Sequence, residues 1–139
     1  MRNIKQFGGQ GLVEFALILP VLLLLVIGAL DIGRAFYMKV ILENAAREGA
    51  NYMVYHTADG VANSFALAKT AVQVEAQDSG LSIQSADIDV KCMQGTTENN
   101  ACPSGTTVIV TVQHQFVMAI GIFFNNPLIL SNDARMLIP

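Results

Sequence analysis

The side chains that could carry out chemistry are few in this chain of 139 residues, and they are scattered along it. The chain has two histidines, His56 and His114, and two cysteines, Cys92 and Cys102. Their spacing is not that of a zinc site. No GxSxG, HExxH or P-loop sequence occurs either. We therefore expect no catalytic residue, no metal, no other cofactor and no enzyme activity.

The remaining candidates for chemistry have simpler interpretations. Asp87, Asp89 and Glu98 could supply carboxylates to a calcium ion. Asp87 and Asp89, however, alternate with apolar residues and so share one face of a predicted strand, which favours a solvated face. His114 falls on the apolar face of another predicted strand, where a packed histidine is more common than a catalytic one. We expect these residues to be structural.

Cys92 and Cys102 flank a polar segment and would close a loop of eleven residues, counted from 92 to 102 inclusive. Outside the cytoplasm such a pair normally oxidises. In the chain-entropy model a loop this short stabilises the fold by roughly 2 to 3 kcal/mol. The sequence favours a structural disulfide, and two free thiols or a metal-binding pair are the alternatives.

The apolar character of the chain is concentrated near its N-terminus. Hydrophobic residues make up 53% of the chain and charged residues 14%, and no charge occurs from Phe15 to Leu30. High hydrophobicity excludes intrinsic disorder. The net charge of -3 argues against nucleic acid as a partner.

The segment from Leu12 to Leu30 is long enough to cross a membrane. Only Glu14 and Pro20 interrupt its nineteen residues, and as a helix it covers about 28 Å, close to the thickness of the hydrocarbon core. Residues 1–9 carry two basic side chains and no acidic one, which predicts a cytoplasmic N-terminus and an external position for everything after Asp31.

Three interpretations of this segment compete. A cleaved secretory signal would need a site of the A-x-A type, and Ile27-Gly28-Ala29 is a poor one. A plain single-span anchor fits the length but gives no reason for Gly9 or Glu14. The third interpretation uses both of those residues.

Glu14 is costly in a membrane helix. A carboxylate at the bilayer centre costs about 2.5 kcal/mol or more, and less near the interface. One interpretation places Glu14 at headgroup level, where a helix N-terminus favours negative charge. The other pairs it with the α-amino group that proteolysis between Gly9 and Gln10 would create, on a neighbouring parallel helix.

The residues Gly9-Gln10-Gly11-Leu12-Val13-Glu14-Phe15 resemble the processing site of type IV pilin-like proteins. The longer stretch GQGLVEFALILPVLLLLVIGALDIGRAFY, residues 9–37, is similar to the N-terminus of the TadE-like pseudopilins of tight-adherence (Flp) pilus systems. The resemblance implies that prepilin peptidase cuts after Gly9, so that Gln10 becomes the first residue and Glu14 the fifth. Cleavage after Gly8 would place Glu14 sixth, so the spacing selects Gly9.

The resemblance also implies a function and a location. It implies a structural subunit held in the bacterial cytoplasmic membrane, with its N-terminus inside, before it enters an extracellular pilus that serves adhesion. There the N-terminal helix, with Glu14 and Phe15, would contact other pilin subunits. Pro20 would kink this helix so that neighbours could curve around one another, although a kink without a special role is equally consistent. The alternative function is a single-span, membrane-anchored binding module that is not processed.

The expected organisation is a leader at residues 1–9, a long helix at 10–55 that is transmembrane over about 12–30, and an α+β head at 56–139. The outer half of the helix carries a heptad stripe, formed by Ala35, Met38, Leu42, Ala45, Gly49 and Tyr52. Near Tyr52 we expect this stripe to pack on the head of the same chain. A head of this size resembles minor pseudopilins more than the short major subunits, although a filament built mainly from this chain is physically possible.

Within the head, a second helix is predicted to start at Asn63 or Ser64 and to run to about Gln77. Its predicted apolar face consists of Leu67, Thr70, Ala71 and Val74. The period then changes to two, which predicts strands over 87–92 and 107–116 that form an antiparallel hairpin. A third strand is predicted over 131–138 and a short one over 81–85. Residues 117–130 are too short and too interrupted to span a membrane, and we expect a buried or interfacial connection there. An exposed apolar patch in this segment would indicate a subunit contact.

Overall fold

The computed structural model describes residues 9–56, 61–99, 102–122 and 127–139. Two α-helices, α1 (Gln10–His56) and α2 (Val61–Asp78), precede four strands, β1 (Ile88–Gln94), β2 (Thr97–Glu98), β3 (Thr107–Phe116) and β4 (Leu128–Leu137). Short 3-10 turns lie at Ser85–Asp87 and Ala119–Ile122. The strands form one antiparallel sheet in the order β2-β1-β3-β4, so the predicted α+β class is confirmed.

Helix α1 is continuous over 47 residues, and Pro20 lies inside it. At 1.5 Å per residue it is about 70 Å long. Residues 11–27 are exposed, and the first buried position is Asp31. The head therefore covers only the second half of α1. Among the described residues, α1 is the one helix whose length and composition suit a membrane span.

The second half of α1 packs against α2, β3 and β4. The predicted stripe is confirmed, because Leu42, Ala45 and Gly49 are buried, and Ala35, Met38 and Tyr52 are half-buried against the core. As expected near Tyr52, the stripe faces the head of the same chain. Ala46, Ala50 and Met53 widen it.

The predicted apolar face of α2 is wrong. Leu67, Thr70 and Val74 are exposed and Ala71 is half-buried, whereas the buried positions repeat every four residues, at Ser64, Ala68, Val72 and Ala76. The buried row consists mostly of small residues because α1 also presents small residues at this contact, so the two backbones approach closely. The bulkier apolar side chains are left at the rim. The predicted start is also wrong, since α2 begins at Val61.

One face of the sheet supplies the rest of the core. Val108, Val110, Val112 and Phe116 of β3 are buried, and His114 on the same face is half-buried, as predicted. The hairpin register pairs β1 with β3 in the predicted antiparallel sense. The opposite face carries charged residues such as Asp89, Lys91, Asp133 and Arg135.

Other predictions for the strands also differ from the structure, and β1 runs to Gln94 instead of Cys92. Residues 81–84 form no strand, because the side-chain amide of Gln73 donates to the Ile83 carbonyl (2.9 Å) and the Leu81 amide donates to the Ala76 carbonyl (2.8 Å). These bonds tie the segment to α2 instead of to a strand. Strand β4 begins at Leu128, three residues before the predicted start. The last part of the predicted connection therefore belongs to the sheet.

Candidate functional site

The predicted processing site lies at the N-terminal end of α1. The carbonyl of Gly9 accepts a hydrogen bond from the Val13 amide (3.3 Å), and the helix begins at Gln10. The peptide bond between Gly9 and Gln10 is thus the junction between the helix and the preceding segment. The predicted leader, apart from Gly9, lies outside the described residues.

The predicted assembly residues Glu14, Phe15 and Pro20 are exposed on the first half of α1. Glu14 lies four residues, about one helical turn, after Gln10. Among the residues that the structure describes, Glu14 forms no ion pair.

Around these residues α1 is apolar on all sides. Every large apolar side chain from Leu12 to Val26 has at least 40% of its surface exposed. A helix that is apolar all round is normally buried in a protein core or in a membrane, and an exposed apolar surface of this length marks a contact site. The described part of the head does not cover this surface.

Sequence reasoning missed the link between the end of this apolar segment and the base of the head. Asp31 is buried (5% exposed) and accepts hydrogen bonds from the Arg34 guanidinium (3.3 Å) and the Ala119 amide (3.0 Å). The Arg34 guanidinium also lies 5.5 Å from the centroid of the Phe116 ring. The position of Asp31 directly after the uncharged run, three residues before Arg34, was the available signal.

The two cysteines are joined in a disulfide, as the sequence favoured. Cys92 lies on β1, Cys102 lies in the segment before β3, and both are buried. Their Cα atoms are 5.3 Å apart, which is within the usual range. The bridge closes the loop that carries β2 and fixes it against the core.

Several other polar residues of the head pair or stack with one another. The Lys91 ammonium lies 2.8 Å from the Asp89 carboxylate, and this hydrogen bond, together with the charges of Asp89 and Glu98, raises the pKa of Lys91. His56 stacks on Tyr52 at the end of α1. Within the described ranges, no three His, Cys, Asp or Glu side chains are grouped so that they could hold a metal ion.

The geometry so far is that of a membrane-type helix with a small disulfide-bonded head. Residues 9–51 match the family model of TadE-like protein, which confirms the resemblance inferred from the N-terminal residues. The match begins at Gly9 and follows α1 to residue 51. It includes no part of the head at residues 56–139. A search of the curated proteins and of the solved structures finds no match. The matched family is one of Tad pilus-associated structural proteins, and the one apolar helix among the described residues indicates membrane anchoring.

Proposed function

We propose that this protein is a pilin-like structural subunit of a Tad (Flp-type) pilus system. It is inserted in the bacterial cytoplasmic membrane through residues 12–30, with its N-terminus inside. Prepilin peptidase cleaves it after Gly9, and the mature chain is assembled through α1 into or onto an extracellular pilus that serves adhesion. The observation that carries this proposal is that Gly9 and Glu14 lie at the start of an apolar helix that the head leaves uncovered.

The assembly step follows from the charges that cleavage leaves at this end of α1. Cleavage creates a positive α-amino group at Gln10, about 6 Å along the helix axis from Glu14. A parallel neighbour that is displaced by about one turn brings its amine level with this carboxylate. Such a pair offsets the cost of keeping a carboxylate in hydrocarbon. Packing of the apolar surfaces around it replaces lipid contacts with helix contacts.

The size of the head favours a minor subunit. The described residues of the head form a folded body next to α1. Such a body limits how closely successive copies can be stacked. We therefore expect this chain to be much less abundant than the major subunit in sheared filaments.

The first test is the N-terminal residue of the exported protein, measured by mass spectrometry. We expect a mature chain of 139 - 9 = 130 residues that begins at Gln10. A chain that still begins at Met1 would favour the other function, an unprocessed membrane-anchored binding module.

The second test is Glu14→Gln, with Glu48→Gln on the exposed surface of the same helix as its control. We expect both variants to enter the membrane with an intact disulfide. The amount of Glu14→Gln in sheared filaments should fall about tenfold, which corresponds to about 1.4 kcal/mol, while Glu48→Gln stays at the wild-type amount. Normal incorporation of Glu14→Gln would contradict the assembly role of Glu14.

A further inference from the structure

The base of the head reaches the end of the apolar segment of α1. A cavity of about 450 Å³ lies at this junction, and its lining consists of apolar residues and Asp31. Gly28, Ile32 and Ala35 contribute from α1, and Phe116, Met118 and Leu128 from the head. The lower ends of β3 and β4 are therefore level with the residues that leave the proposed membrane span.

The helical rise places this junction in the headgroup layer. Ile32 and Ala35 lie about 3 Å and 7.5 Å beyond Leu30, the last residue of the apolar run. The polar layer on each side of a bilayer is about 5–7.5 Å thick. If residues 12–30 span the hydrocarbon core, the base of the head lies within this layer.

The surface presented at that height is apolar. Val117 and Ile129 are 68% and 61% exposed, and Leu128 is half exposed. Ile32 (60% exposed) continues the apolar surface along α1, and Phe36 (66% exposed), about 9 Å beyond Leu30, extends it just past this layer. We name this surface the base surface, and it is formed by Ile32, Phe36, Val117, Met118, Leu128 and Ile129.

One charged side chain beside this surface suits a lipid headgroup. Arg34 has 55% of its side chain exposed and lies over the ring of Phe116. A guanidinium at this height can contact lipid phosphate while its stem covers apolar surface. The hydrogen bond from the Ala119 amide to Asp31 joins the base of the head to α1 beside this surface.

We propose that the base surface is a second lipid-contact site, which lies in the headgroup layer of the outer leaflet until the subunit is assembled. The occupant is the membrane because Ile32 extends the lipid-facing surface of α1 and the adjoining ends of β3 and β4 lie at headgroup height. The proposal rests on the proposed function, since it requires α1 to span the membrane.

The test uses the absence of tryptophan from this chain, which makes any introduced tryptophan the only one. Val117→Trp reports on the base surface, and Leu30→Trp reports on the spanning segment. The matched control is Leu137→Trp, which is also exposed (64%) but lies nine residues beyond Leu128 on β4, about 30 Å away. Each full-length variant is placed in nanodiscs at one copy per disc, with acyl chains brominated near the headgroup as quencher.

We expect the brominated lipid to quench Val117→Trp nearly as strongly as Leu30→Trp and to leave Leu137→Trp unquenched. If Leu30→Trp is quenched and Val117→Trp is not, the lipid-contact site is wrong and the membrane span stands. If Leu30→Trp is unquenched, the span fails, and the lipid-contact site fails with it. If Val117→Trp is shielded from solvent only when several copies share a disc, the base surface contacts a second copy. That result would overturn the proposal.

An intact disulfide and an unchanged circular dichroism spectrum establish that each variant is folded. Ile129→Trp replaces Val117→Trp if that variant does not fold, and the same outcomes apply to it.

Discussion

At the residue scale, Gly49 marks the closest approach within the core. A Cβ atom at this position would lie 2.5 Å from Val72 Cγ2 and 3.3 Å from Val110 Cγ1. Val72 belongs to α2 and Val110 to β3, so both helices and the sheet meet at this backbone position. The absence of a side chain here is what allows the stripe of small residues on α1 to contact both neighbours.

We expect Gly49→Ala to destabilise the head, although alanine is the better helix former. Overpacking costs about 1–3 kcal/mol, and the gain in helix propensity is only about 1 kcal/mol. The net loss in the free energy of unfolding should reach about 2 kcal/mol. Urea unfolding of the full chain in detergent, followed by the circular dichroism of the head, measures this difference.

Gly33→Ala in the same helix is the matched control, because a Cβ atom added at Gly33 has no neighbouring atom within 4 Å. It should be neutral or stabilising by up to about 1 kcal/mol. Removing the opposing methyl groups with Val72→Ala should reduce the loss caused by Gly49→Ala. Equal losses in both backgrounds would show that the contact with Val72 is not the cause.

At the element scale, most of the fold could be predicted from periodicity. The spacing of three and four predicted the buried stripe of α1, and alternation, strict in β1 and nearly strict in β3, predicted the faces of these strands. The buried face of α2 could not be predicted in this way, because apolar size favoured Leu67 and Val74 while the close approach to α1 requires Ala68 and Ala76. Periodicity alone does not show how near the neighbouring helix will lie.

The processing and assembly residues could be proposed from the sequence because their signal is local. Gly9 and Glu14 lie five residues apart, next to an apolar run. The link between Asp31 and Ala119 joins positions 88 residues apart, and no local pattern connects them. The base surface depends on that link, so it became visible only in the folded chain.

The disulfide is an element-scale constraint on the loop between β1 and β3. We expect the double substitution Cys92→Ala with Cys102→Ala to lower the free energy of unfolding by roughly 2 to 3 kcal/mol, because the eleven-residue loop is then open in the unfolded chain. Reduction of the wild-type protein should cause a similar loss, and the same urea titration measures both. If reduction has no effect and mass spectrometry detects free thiols in the exported protein, the structural disulfide is contradicted.

At the scale of the whole molecule, the continuity of α1 fixes the direction in which Glu14 points relative to the head. No break separates residues 11–27 from the part of α1 that packs on the sheet. A neighbouring subunit that pairs with Glu14 must therefore meet the head at one defined angle.

Insertion of one alanine after Val26 tests this coupling. It rotates the preceding part of α1 by about 100° and shifts it by about 1.5 Å relative to the head. We expect an unchanged free energy of unfolding for the head, since the inserted position does not contact it, but a strong loss of the chain from sheared filaments. The control is Val26→Ala without an insertion. Normal filament incorporation of the inserted variant would show that the angle between helix and head does not matter for assembly.

The same continuity has a mechanical consequence. A pull along α1 meets no linker that could stretch before the load reaches the core. The load is carried in shear along the contacts with α2, β3 and β4, where many side chains from Ala35 to Met53 resist together. The bond between Cys92 and Cys102 lies outside this path, because it joins β1 to the loop that follows it. Tension along α1 would thus be resisted by packed side chains. The disulfide cross-links a part of the head outside this path.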